Sequence, residues 1–199
     1  TDYTAEIIHS KATQFIKEHK NAPFFLYYPT TLPHGPYHQP DDEVLAYYVK
    51  KMDRPGGRAD NKDFSEAKYA AMTTRLDSYV GDVMATLQEL NLLDNTLVIF
   101  TSDNGTALRP EQDRHLQTGG KLHGRKGTVY EGGIKAPMIA YWKGKIVPGF
   151  RTDHLSAFWD VMPTFAELIE AELPTDIDGI SFLPTLLDKP VEKKEHQYL

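Results

Sequence analysis

Two side chains with oxygen donors come directly after an apolar run in the middle of the chain. Asp103 and Asn104 follow residues 96–101 and precede Gly105. Carboxylate and amide oxygens are the hard donors that calcium and magnesium prefer, so this pair could hold such a cation. Asp, Asn and Gly are also ordinary turn residues, because Asn and Gly accept a positive φ at low cost. From spacing alone, a turn and a metal site both stay open.

A histidine lies in a proline-rich segment nearer the start of the chain. Residues 29–40 contain four prolines around His34 and His38. Proline fixes the backbone, so these histidines are expected to be held rigidly. An imidazole placed in this way could transfer a proton near neutral pH, or it could simply hydrogen-bond its own loop.

The third candidate is a glycine-rich and basic segment at residues 119–128, which includes Lys126. Backbone amides, ammonium and guanidinium groups together could surround a tetrahedral anion. The glycine spacing differs from that of a Walker loop, and no strand leads directly into the segment, so nucleotide binding is not indicated. The alternative is a mobile, solvated loop.

The elements around these residues follow the hydrophobic periodicity. Helices are predicted at residues 4–19, 63–90 and 159–170, and Asp42 is expected near the start of a further helix. Strands are predicted at residues 24–28, 96–101 and 138–142, the first of them buried on both faces. Alternating strands and helices imply a parallel α/β sheet, whose ligands bind beyond the carboxyl ends of the strands. The loops that carry His34 and Asp103 follow two such strands.

Composition limits the class of protein. Of the 199 residues, 40% are hydrophobic and 25% are charged, which is the mix of an ordinary folded domain. Lys and Arg number 22 and Asp and Glu number 28, so the net charge of −6 argues against nucleic acid as a partner. The absence of cysteine excludes disulfides, thiolate metal sites and cysteine nucleophiles within this chain. No apolar run approaches the length of about 20 residues that a membrane helix needs.

Three motifs, taken in order along the chain, resemble the sulfatase family. They are PHGP at residues 33–36, TLVIFTSDNG at residues 96–105 and GRKGTVYEGGIKAP at residues 124–137. The similarity extends to residues 77–96 and to DGISFLP at residues 178–184. Each motif is short, but their order and separation are specific together. Residues 1–199 are therefore identified as similar to the C-terminal portion of a sulfatase catalytic domain.

The resemblance implies an incomplete α/β fold of the alkaline-phosphatase-like type, with part of a mostly parallel sheet flanked by helices. It also implies hydrolysis of sugar or aryl sulfate esters by a formylglycine, which the family makes from Cys or Ser in a C/S-x-P-x-R motif. No such motif occurs here, so the nucleophile is expected upstream of Thr1. Carried over by position, Asp103 and Asn104 match calcium ligands, with magnesium the less expected ion. His34 and Lys126 match the catalytic histidine and lysine that contact the sulfate group, and which of them protonates the leaving group stays open.

Two departures from the family pattern concern the neighbourhood of these residues. Lys135 stands where arginine is more usual, and residues 106–117 contain no family motif. That stretch includes Arg109, Arg114 and His115, and Arg114 could grip a carboxylate of a sugar substrate. The alternative for Arg114 is an exposed surface loop. Glycines 132 and 133 of the E-G-G turn are expected to let this turn approach the lysine loop closely.

Two other functions remain as alternatives. One is a phosphomonoesterase or phosphodiesterase of the same superfamily, which needs additional Asp and His metal ligands that the chain does not obviously supply. The other is a non-catalytic domain that keeps the fold. For a sulfatase, the partner is a sulfated small molecule or glycan, and the resemblance alone implies a periplasmic, secreted or lysosomal location.

The incomplete motif set leads to expectations about the chain by itself. It should show no turnover and should bind calcium weakly, because two ligands cannot satisfy an ion that takes 6–8 oxygens. Exposed strand edges should favour self-association. Residues 186–199 are expected to begin a link to a further C-terminal subdomain.

Overall fold

Apolar residues at helical spacing form three helices in the first half of the chain. A computed structural model describes residues 3–52, 65–189 and 196 of the protein. The helices are α1 (Thr4–Glu18), α2 (Glu43–Met52) and α3 (Ser65–Glu89). Both predicted helices in this region are thereby confirmed. The buried residues of α1 lie three or four positions apart and so share one face: Ala5, His9, Ala12 and Ile16.

α3 is the central element of this half, and both α1 and α2 pack on it. A buried cluster joins α1 and α3 to the proline-rich segment through Leu32, whose side chain is 7% exposed. Met72 and Tyr79 contribute to that cluster from α3, and Tyr37 packs against it. The segment that carries His34 is therefore attached to the core on both sides of the histidine.

Polar residues mark the start of α2 and the end of α3. The Asp42 carboxylate accepts a hydrogen bond from the Leu45 amide at 3.2 Å, which caps α2 as expected. Burial would raise the pKa of Asp42, but hydrogen bonds and the charge of Arg75 lower it below its usual value. α3 ends at Glu89, and Asn91, whose φ of 57° is left-handed, follows it, so that the Leu92 amide donates to the Leu87 carbonyl at 2.8 Å.

Residues 24–28 do not form the predicted strand. The segment is extended, but it is not part of the sheet that the described residues form. Phe25 and Tyr27 are 68% and 75% exposed, while the alternate residues are half-buried. An extended segment with one packed face alternates in this way, so the prediction of burial on both faces is wrong for this chain.

The other two predicted strands are present. β1 (Val98–Thr101) and β2 (Met138–Tyr141) are neighbours in a two-stranded sheet. A short helix, α4 (Glu131–Ile134), precedes β2. The loops between β1 and β2 carry most of the candidate site residues.

The chain divides into two units, Thr1–Leu93 with Phe100–Met138 and Asp94–Ile99 with Ile139–Leu199. The second unit contains α5 (Val161–Leu168) and α6 (Leu183–Leu186), and α5 with its preceding 3-10 turn confirms the predicted third helix. Asp160 is 1% exposed and accepts hydrogen bonds from the Ala157 and Ile180 amides at 2.7 and 2.8 Å. This buried carboxylate holds the start of α5 to the following loop.

Among the described residues, no helix combines the length and the apolar character needed to cross a bilayer. Of the predicted link at residues 186–199, residues 190–195 and 197–199 lie outside the described part of the chain.

Candidate active site

The Asp103–Asn104 pair lies in a tight turn directly after β1. The Ser102 hydroxyl donates to the Asn104 carbonyl at 2.9 Å, and Asn104 Nδ2 donates to the Gly105 carbonyl at 2.9 Å. Because Nδ2 is used within the turn, Asn104 Oδ1 is the side-chain atom left for a ligand. The Asp103 side chain is exposed. Residues 102–105 therefore form a turn and still present side-chain oxygens to a ligand. A carboxylate and an amide oxygen suit a hard cation.

The turn after β1 is joined to the E-G-G turn by backbone contact. The Gly105 amide donates to the Gly133 carbonyl at 2.9 Å. A Cβ atom on Gly105 would lie 1.9 Å from the Gly132 carbonyl oxygen and 2.8 Å from its carbonyl carbon. Only glycine fits this approach, because the obstructing atoms belong to the backbone and cannot rotate away.

The E-G-G turn packs in the same way on the lysine loop. The Gly132 amide donates to the His123 carbonyl at 2.7 Å, and a Cβ on Gly132 would lie 2.3 Å from the Gly124 carbonyl oxygen. A Cβ on Gly133 would lie 2.2 Å from the Thr128 carbonyl oxygen. The predicted close approach of these glycines to the lysine loop is confirmed.

Lys126 occupies a loop that its own hydrogen bonds define. The Lys126 amide donates to the Thr106 carbonyl at 2.8 Å, which fixes the lysine backbone beside the segment that follows Gly105. The Thr128 hydroxyl donates to the Arg125 carbonyl at 2.8 Å, and the Arg125 amide donates back to that hydroxyl at 3.1 Å. The structure therefore shows a hydrogen-bonded loop, and Lys126 itself is half-buried within it.

His34 is held by a different part of the first unit. Its amide donates to the Thr31 carbonyl at 2.8 Å, and its Nδ1 donates to the Gly35 carbonyl at 2.5 Å. Since a carbonyl can only accept, Nδ1 carries the proton, and Nε2 is the atom that can exchange one with a ligand. The ring is exposed. His34 can therefore hydrogen-bond its own loop through Nδ1 and still exchange a proton through Nε2.

The first turns of α3 hold both the His34 segment and the segment that carries Arg114. Tyr69 makes an edge-to-face contact with Tyr37, with ring centroids 6.0 Å apart. Burial raises the pKa of Tyr69, and the charges of Tyr37 and Asp113 raise it further. Arg114 is exposed.

Glu66 is a polar residue of this region that sequence reasoning did not select. It accepts hydrogen bonds from the His115 and Leu116 amides at 2.5 and 2.7 Å and from His115 Nδ1 at 2.7 Å. Burial would raise the pKa of Glu66, but these hydrogen bonds outweigh it and lower the pKa. A carboxylate in the first turn of a helix is common, so no sequence signal distinguishes it.

The structure therefore joins Asp103, Asn104 and Lys126 through one set of backbone contacts, whereas His34 and Arg114 are held from α3. Within residues 3–52, 65–189 and 196, no group of three or more His, Cys, Asp or Glu side chains could hold a metal ion. Asp103 and Asn104 offer one side-chain carboxylate and one side-chain amide, whereas calcium takes 6–8 oxygen ligands.

Comparison with known proteins gives consistent matches. The Sulfatase family model matches residues 1–171. The chain is 43% identical over 136 residues to steryl-sulfatase of Rattus norvegicus, a match that covers 66% of this chain and 23% of that protein. It is 35% identical over 173 residues to arylsulfatase A of Homo sapiens, which covers 85% of this chain and 30% of that protein.

A solved structure shares the fold of the described residues. The crystal structure of Ps i-CgsB in complex with k-i-k-neocarrahexaose aligns with a TM-score of 0.79 and 29% sequence identity. The match covers 94% of this chain and 39% of that one. The chain thus spans less than a third of the length of these two curated relatives and well under half of the solved structure.

Proposed function

The chain belongs to the sulfatase family, and on that premise we propose that the complete protein hydrolyses sulfate esters with an active site to which this chain contributes part. The observation that carries the proposal is the glycine-packed junction of the first unit. Through Gly105, Gly132 and Gly133, two oxygen donors and the loop of a lysine are held by direct backbone contact. Preorganised charges of this kind stabilise a developing anion without reorganisation during the reaction.

We propose that Asp103 and Asn104 are calcium ligands. Their donors are a carboxylate and an amide oxygen, and the hydrogen bond from Asn104 Nδ2 to Gly105 keeps Oδ1 available. When bound, calcium would supply positive charge that stabilises the sulfate oxygens. The remaining ligands are proposed to come from parts of the protein outside this chain, since calcium takes 6–8 oxygens.

Lys126 and His34 are proposed to act on the sulfate group and on the leaving group. The Lys126 ammonium binds a sulfate oxygen and offsets its charge, which grows as the sulfur is attacked. His34 donates a proton from Nε2 to the leaving alcohol oxygen, while Nδ1 stays bonded to the Gly35 carbonyl and fixes the ring. The nucleophile is proposed to be a formylglycine that lies outside this chain.

The proposed substrate is a sulfated glycan or a sulfated small molecule. Arg114 supports this proposal because it is exposed on a segment that is tied to the same unit as the lysine loop. A guanidinium binds a carboxylate or a second sulfate in a bidentate way. An extracytoplasmic location is proposed on the strength of family membership.

Calcium dependence provides a direct test of the proposed metal ligands. In the full-length protein, Asp103→Asn should raise the calcium concentration at half-maximal thermal stabilisation by about tenfold or more, because ligand charge sets calcium affinity. Thermal melting in calcium–chelator buffers measures this. Asp176→Asn, at an exposed position of the second unit, is the matched control and should leave the midpoint unchanged. Equal midpoints for Asp103→Asn and the unsubstituted protein would remove Asp103 from the site.

A further inference from the structure

A carboxylate on α3 binds the loop that follows the candidate calcium ligands. The Glu66 side chain is 12% exposed, and both of its oxygens accept hydrogen bonds from residues 115 and 116. Two of the donors are backbone amides and one is the His115 ring. Hydrogen bonds to a charged acceptor are roughly twice as strong as neutral ones, so this is a firm attachment between α3 and the loop.

The same loop is connected onward to the backbone of Lys126. The Asp113 carboxylate accepts from both the amide and the hydroxyl of Thr118, at 3.0 and 2.8 Å. The Thr118 hydroxyl is hydrogen-bonded to the Thr106 hydroxyl at 2.5 Å. The Thr106 carbonyl in turn accepts from the Lys126 amide at 2.8 Å. An unbroken series of contacts therefore runs from α3 to the lysine.

A second contact fixes the other end of the loop to the same helix turn. Gln112 Nε2 donates to the Ser65 hydroxyl at 3.4 Å. This bond is long and lies between neutral groups, so it contributes less than the three bonds to Glu66. Of the hydrogen bonds described between this loop and α3, those to the Glu66 carboxylate are therefore the strongest.

We propose that Glu66 is a positioning residue for Lys126, acting through residues 113–118 and Thr106. This inference rests on the proposed sulfatase function, since it assigns Glu66 a role only if Lys126 binds the sulfate group. Removal of the carboxylate releases the loop, which shifts Thr118 and, through Thr106, the lysine backbone. A misplacement of about 1 Å in a catalytic group can reduce the rate by about 10²-fold.

A double-mutant cycle in the full-length protein tests the inference, with para-nitrophenyl sulfate as substrate. Glu66→Ala should lower kcat/KM by about tenfold or more, mainly through kcat, because the misplaced lysine fails in the transition state. In a Lys126→Ala background the same change should cost less than about twofold, since coupled residues are not additive. Equal losses in both backgrounds, or no loss in either, would overturn the inference. Glu111→Ala, an exposed carboxylate on the same loop, should have no effect.

Amide hydrogen exchange gives a second measurement that does not depend on turnover. Glu66→Ala should increase exchange at the amides of His115 and Leu116 and also at the Lys126 amide, with Glu66→Gln closer to the unsubstituted protein because it keeps an acceptor oxygen. Faster exchange at His115 and Leu116 with unchanged exchange at Lys126 would mean a purely local role and would overturn the inference. Absence of sulfatase activity in the unsubstituted protein would instead contradict the proposed function. If the alanine variant does not fold, Glu66→Gln provides the test, because an amide oxygen accepts weaker hydrogen bonds than a carboxylate. Exchange at the Lys126 amide should then still rise, by less than in the alanine variant, and unchanged exchange there would overturn the inference.

Discussion

Lys126→Ala in the full-length protein should lower kcat/KM for a sulfate ester by about 10²–10³, the cost of removing one preorganised donor to a developing anion. The reason is the position of its loop. The Lys126 amide donates a hydrogen bond to the Thr106 carbonyl. The glycines of the E-G-G turn lie in close backbone contact with both the lysine loop and Gly105 of the Asp103 turn. Steady-state kinetics with para-nitrophenyl sulfate measure the change.

Lys121→Ala is the matched control for this prediction. Lys121 is an exposed lysine of the same glycine-rich segment, so the substitution removes the same charge from the same loop. It should change kcat/KM by no more than about twofold, because solvent and salt screen the charge of an exposed side chain. Similar losses in the two variants would show that the net charge of the loop matters and that the position of Lys126 does not.

Gly105→Ala should abolish most of the activity and destabilise the protein by about 1–3 kcal/mol or more, as overpacking of a closely fitted site does. The new Cβ would lie 1.9 Å from the Gly132 carbonyl oxygen, so the two turns must separate. Separation breaks the bond from the Gly105 amide to the Gly133 carbonyl and moves the calcium ligands relative to the lysine loop. Thermal unfolding and kinetics of the full-length variant measure the two effects.

Gly81→Ala provides the control for the loss of glycine as such. Gly81 lies in α3, is exposed, and has no atom within 4 Å of a built Cβ. Alanine in an exposed helix interior is favoured over glycine by about 1 kcal/mol, so this variant should be at least as stable as the unsubstituted protein. If Gly105→Ala melts at the same temperature as Gly81→Ala and keeps full activity, the glycine junction is not required.

Local sequence patterns predicted most of the secondary structure. Helical periodicity placed α1 and α3, and the apolar runs before Ser102 and around Ile139 placed β1 and β2. The prediction of a strand at residues 24–28 was wrong because an apolar run indicates extended backbone but does not specify a partner strand. Membership of the sulfatase family and the fold shared with Ps i-CgsB confirm an incomplete α/β fold of the alkaline-phosphatase-like type.

Of the contacts in the candidate site, the glycine contacts could be predicted from the sequence and the hydrogen bonds to Glu66 could not. The close approach of Gly132 and Gly133 to the lysine loop could be predicted from their likeness to the E-G-G turn of the family, because glycine lacks the Cβ atom that would obstruct it. The hydrogen bonds that the Glu66 carboxylate accepts from residues 115 and 116 could not be predicted, because they join positions 49 and 50 residues apart. No local pattern encodes such a pairing, and only the packing of the loop against α3 creates it.

The complete protein is proposed to hydrolyse sulfate esters. The most direct measurement compares para-nitrophenyl sulfate with para-nitrophenyl phosphate as substrates of the full-length protein, produced together with a formylglycine-generating enzyme. We predict turnover of the sulfate ester with a kcat/KM well above that for the phosphate ester. A clear preference for the phosphate ester would contradict the claim and favour a phosphoesterase of the same superfamily.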